Sequence, residues 1–128
     1  MKIAALIVRL LLGLMFFVLG LNVILHFLHM PAMSGTSAEF MGILASTGYM
    51  TFVGVLMTIS GLLLLVGRFV PLALTILAPI LVNILLFHFL IAHNGAGTGL
   101  FATVLELFLL SVYRKSFYTL FHPAPEVL

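Results

Sequence analysis

Glu106 is the residue in this chain whose position most demands a chemical explanation. It stands in the apolar run LELFLLSVYR, eight positions before Arg114, and so lies about 12 Å along a helix from that cation. A charged carboxylate that deep in lipid costs roughly 2.5–3.5 kcal/mol, so the acid needs a partner or a proton. Arg9, seven positions beyond Lys2, reaches a comparable depth of about 10 Å from the same side, and no other Lys, Arg, Asp or Glu is expected there. The matched depths predict a buried ion pair, Arg9 with Glu106, clamping the first helix to the last. The alternative is a protonatable site serving quinone or proton chemistry, a task that intramembrane acids often perform.

A second grouping combines amides and imidazoles. Asn22, His26 and His29 fall at i, i+4 and i+7, one stripe at the far end of the first apolar run. Asn83 and His88 lie about 18 and 26 Å beyond Pro71, which brings them toward the same side of the membrane. Asn22, His26, Asn83 and His88 are therefore expected to border one outward-facing cavity, whose ligand would be a quinone head or a small polar solute. The competing reading has the asparagines bridging helices and the histidines resting at the lipid boundary. In HFLHMPAM, His26, His29, Met30 and Met33 offer the soft donors that suit copper, but Pro31 interrupts their geometry. A haem would need His26 and His88 to face one another, which no spacing secures. His88 and His93 are five apart, about 140° around a helix, and do not form an i, i+4 chelating pair. No metal site is expected.

The elements that hold these residues follow from composition. Of 128 residues, 64% are hydrophobic and 6% charged, too little polar surface to cover a water-soluble globule. The chain reads as an all-α integral membrane protein, a four-transmembrane-helix bundle with a short interfacial helix on the outward side after the first span. A span needs about 20 apolar residues, and four spans with short connections use nearly the whole length, leaving no soluble domain for chemistry or for nucleic acid. Absence of cysteine excludes disulfides, thiolate metal sites and thiol redox relays, so any redox role needs a bound cofactor or a partner.

The spans are expected at about residues 3–28, 50–66, 71–92 and 100–113, with the interfacial helix at about 37–47 and a loose tail over 123–128. The first should stop before Pro31, since the residue preceding proline is pushed out of helical geometry. Thr36-Ser37-Ala38-Glu39 has the capping-box pattern, and Phe40, Ile43 and Leu44 share one face of the helix it would start. Gly48 and Gly67 should end helices, Pro71 should occupy a first turn and Pro79 should kink the third span. Gly13 and Gly20, like Gly54 and Gly61, lie a heptad apart and invite close approach by a neighbouring helix. The glycine-rich NGAGTG lacks the strand and lysine of a phosphate loop and reads as a tight hairpin. Lys2, Arg9, Arg68, Arg114 and Lys115 all fall at the termini or the second connection, which by the positive-inside rule places both termini in the cytoplasm. The first apolar run is too long for a cleaved secretory signal and is read as a retained span.

Taken in order, GLNVILHFLHMP, GLLLLVGRFVPLAL, APILVNILLFHFL and LELFLLSVYR resemble the DoxX-like family of small bacterial membrane proteins over about residues 9–121. That resemblance implies a four-helix protein of the bacterial cytoplasmic membrane, with relatives associated with thiosulfate:quinone oxidoreduction and with membrane complexes for oxidative defence. It implies a quinone-associated or partner-dependent redox component, with a redox partner protein as a candidate partner. The alternative is a non-enzymatic module that holds lipid, a small solute or a partner complex in the bilayer.

Overall fold

A computed structural model describes residues 2–30 and 32–127, and among them the ordered structure is entirely helical. Helix α1 covers Lys2–Leu25, α2 Gly35–Ser46, α3 Tyr49–Val66 and α4 Val70–Leu86, which continues as a π-helix over Phe87–Ala92. After a short turn, α5 covers Gly97–Val112, followed by 3-10 turns at Arg114–Ser116 and Tyr118–Phe121. Three helical stretches, Lys2–Leu25, Tyr49–Val66 and Val70–Ala92, are long and apolar enough to cross a membrane. At 16 residues α5 is apolar but shorter, about 24 Å at the helical rise.

The four longer helices pack as a ring of neighbours: α1 touches α3 and α5, α3 touches α4, and α4 touches α5. Their shared core is built from Leu12 and Phe16 of α1, Leu64 of α3, Leu74 and Leu77 of α4 and Leu109 of α5. Leucines and phenylalanines are just as frequent on the outside, where Phe52, Val82 and Leu107 are each more than half exposed. Helices that are apolar all round need a second apolar medium on their outer faces, which a bilayer supplies.

Glycine determines the closest contact in this ring. A Cβ placed on Gly13 would come within 2.9 Å of the Gly61 carbonyl oxygen, and one on Gly20 within 2.6 Å of the Thr58 amide nitrogen. Gly54 and Gly61 present the same lack of bulk from the α3 side, so the two backbones touch along both heptads. The paired glycine spacings thus meet each other, where the sequence asked only for an unnamed neighbour.

Helix ends follow the expected breakers in part. Gly48 and Gly67 both adopt left-handed φ of 82° after α2 and α3, and Pro71 stands in the first turn of α4. Pro79 lies inside α4 without ending it. Two boundaries need correction. Helix α1 stops at Leu25, not near Leu28, because the buried Asn22 side chain accepts a hydrogen bond from the Leu28 amide at 2.7 Å while His26 turns left-handed at φ 54°. An amide side chain competing for backbone partners ends the helix before proline geometry acts; Pro31 itself lies outside the described residues. Helix α2 begins at Gly35 after Ser34, which makes no side-chain cap, so Thr36 and Ser37 stand inside the helix and the capping box does not form. The Ser37 hydroxyl donates instead to the Ser34 carbonyl at 3.2 Å. Helix α2 rests on α3 and on the π-helix, where Phe40 and Phe87 meet edge to face at 5.8 Å.

Candidate functional site

The expected ion pair is not made. Both carboxylate oxygens of Glu106 are buried without a hydrogen-bond partner, and so is Nε of Arg9. The reason is azimuth, not depth. The guanidinium of Arg9 lies against Gly67, where its Nη1 would come within 2.7 Å of an added Cβ, at the C-terminal end of α3. That is the negative end of a helix dipole, an attractive place for a cation. Glu106, on the fifth helix, instead lines a cavity between α4 and α5. Thr103, one turn earlier, gives its hydroxyl to the Gly99 carbonyl at 2.7 Å and leaves the acid unaided.

The cavity beside Glu106 has a volume of about 130 Å³ and is walled by Ala78, Leu81, Val82, Leu85, Thr103, Leu107 and Leu110. Thr103 has given its proton to Gly99, and the acid is the one titratable residue in the wall. Glu106 itself is 3% exposed. Val82 and Leu107 form an outer edge that is 55% and 59% exposed, so the groove opens sideways toward the medium that bathes the apolar faces.

The amide and imidazole residues make their hydrogen bonds within their own segments. Asn22 is buried and spends its oxygen on Leu28. Asn83 is exposed on α4 and its amide donates to the Pro79 carbonyl one turn back, at 2.9 Å. His88 pairs through Nδ1 with the Asn94 carbonyl oxygen at 2.9 Å, bracing the hairpin in which His93 and Gly95 turn left-handed. His26 and His29 are exposed beyond the end of α1, so the stripe with Asn22 is broken where the helix stops. The hydrogen bonds of Asn22, Asn83 and His88 thus go to their own segments, on helices that stand across the ring from each other or at its edge. Among the described residues there is no group of three or more His, Asp or Glu placed to hold a metal ion.

Fold and site together define a helical protein with membrane-length apolar helices and one buried acid in a lateral groove. No protein-family model, curated protein or solved structure matches the chain.

Proposed function

We propose that this chain is a four-span protein of the bacterial cytoplasmic membrane, similar to the DoxX-like family, that holds the head of a quinone in the α4/α5 groove and serves a redox partner protein there. In this reading α5 is the fourth span, α2 lies along the outer surface and both termini face the cytoplasm, as the clustering of Lys2, Arg9, Arg68, Arg114 and Lys115 asks.

The observation that carries the proposal is the Glu106 carboxyl, buried and unpartnered in an otherwise apolar groove. A polar group in that condition costs free energy unless a ligand completes its hydrogen bonding. The ligand has to arrive through lipid, carry a hydrogen-bonding atom at one end and offer an apolar body to Leu81, Leu107 and Leu110. A quinol meets all three conditions by donating its hydroxyl to the carboxylate, and a quinone meets them by accepting from the protonated carboxyl. An anionic phospholipid head does not, because the groove wall holds no cation to offset the burial of its charge. The alternative, a non-enzymatic module holding another neutral amphiphile, draws on the absence of a second titratable group in the groove wall, which leaves Glu106 without an acid or base to relay its proton there.

The test is the quinone retained per protein after purification from quinone-containing membranes in mild detergent. Wild type should retain quinone, and Glu106→Leu should retain about tenfold less, the worth of one hydrogen bond of roughly 1–1.5 kcal/mol. Asn83→Leu, outside the groove, should retain as much as wild type. Equal retention by Glu106→Leu and wild type would reject the site. Retention of a different neutral lipid, lost in the same variant, would favour the non-enzymatic alternative.

A further inference from the structure

A second cavity, of about 390 Å³, lies between the first turns of α1 and the last turn of α5, lined by Lys2, Ala5, Leu6, Arg9, Val112 and Tyr113. It shares no residue with the Glu106 groove, and the quinone reading does not use it. We propose that this cavity binds the phosphate head of an anionic phospholipid, with Lys2 and Arg9 facing the phosphate and Ala5, Leu6 and Val112 facing its glycerol and acyl carbons.

Charge selects the head. Lys2 and Arg9 bring two cations to one cavity, and none of Glu39, Glu106 or Glu126 lines it. Arg9 lines the same cavity while its guanidinium packs on Gly67, so its positive charge is fixed at the cavity wall. The opening of α1 contributes in the same sense, because its first amides carry the positive end of the helix dipole. At the facing end of α5, Arg114 donates to the Ser111 carbonyl at 3.0 Å and so covers an acceptor that would repel an anion.

The apolar half of the lining selects a lipid over free phosphate. Leu6 is 45% exposed on the outer face of α1, continuous with Ile3 and Ile7, so the cavity opens onto the surface that acyl chains would coat. Basic pockets between helices on the cytoplasmic side are a general means of holding anionic headgroups. The phenol of Tyr113 stands at the boundary depth where tyrosine is commonly found. The site rests on the membrane reading of the fold and is independent of what occupies the α4/α5 groove.

Native mass spectrometry of the detergent-solubilised protein tests this directly, with phosphatidylglycerol, phosphatidylcholine and inorganic phosphate added separately. Phosphatidylglycerol should remain bound under conditions that strip phosphatidylcholine, and inorganic phosphate should not displace it. Lys2→Gln should weaken phosphatidylglycerol binding by about fivefold, the expected effect of one cation near an anionic headgroup. Lys115→Gln, outside the cavity, should leave binding unchanged. Arg9 packs on Gly67 and its loss would disturb the fold, so Lys2→Gln is the deciding variant. Equal retention of the two lipids, equal losses from Lys2→Gln and Lys115→Gln, or displacement by inorganic phosphate would each overturn the assignment.

Discussion

Gly61→Ala is expected to be the most damaging single-methyl change in this protein. Its new Cβ would press into the Phe17 amide nitrogen and stand 2.7 Å from the Gly13 carbonyl and 2.8 Å from the Phe17 Cα. All three are backbone atoms of α1, so no side-chain rotamer can relieve the contact and the two helices must move apart. Overpacking of this kind costs about 1–3 kcal/mol, and the upper end applies where only backbone can yield. Gly42→Ala provides the contrast, because nothing lies within 4 Å of a Cβ there and Gly42 sits inside α2. Replacing a mid-helix glycine by alanine should stabilise by roughly 0.5–1 kcal/mol. Thermal unfolding in detergent should therefore move in opposite directions for the two variants. If Gly61→Ala unfolds with wild type, the backbone contact between α1 and α3 is not as described.

Glu106→Leu is expected to raise thermal stability in ligand-free detergent solution. The substitution replaces two buried oxygens that have no partner with an apolar side chain of similar size, in a wall already made largely of leucine. Relieving an unsatisfied buried polar group is worth about 1–3 kcal/mol. An Arg9–Glu106 pair would have given the opposite sign, since breaking a buried pair from one side costs roughly 3–5 kcal/mol. The direction of the shift in unfolding temperature thus separates the two arrangements, and a lower temperature for Glu106→Leu would restore the pair. A variant that is more stable yet retains less quinone has the trade-off expected of a residue kept for its ligand.

Much of the fold was legible because single residues impose it. Gly48, Gly67 and Pro71 stand at helix ends for reasons of backbone geometry that no partner can override, and the heptad-spaced glycines mark a close contact wherever it falls. Glu106 was legible as a site for a similar reason: a carboxyl in an apolar run is costly in any arrangement. What could not be read was rotation. Depth along a helix follows from counting residues, and it placed Arg9 and Glu106 level, but the direction each faces depends on how α1 and α5 turn within the ring. Arg9 turned toward Gly67 and Glu106 toward α4. Helix α1 ends before the proline would stop it, because an asparagine near a helix end also competes for backbone amides. The π-helix at Phe87–Ala92 has no signature in FHFLIA.

The glycine contact also bears on the order in which the helices assemble. Helices α1 and α3 meet backbone to backbone, while a Cβ on Gly99 of α5 would meet only the side chains of Ile84 and Leu85 at 3.1 and 3.3 Å. In a bilayer, where close packing drives association, α1 and α3 can lock together while later segments are still being inserted. The α4/α5 seam, which meets Gly99 through side chains alone, is expected to part more readily than the α1/α3 contact. A lipid-borne ligand would reach Glu106 past the exposed edge of Val82 and Leu107, with α1 and α3 as the fixed frame. Amide deuterium uptake should accordingly be slower along Leu12–Leu19 and Gly54–Leu64 than along Leu81–Leu85 and Thr103–Leu110. Uniform protection across all four stretches would mean that the seam is as firmly shut as the glycine pair.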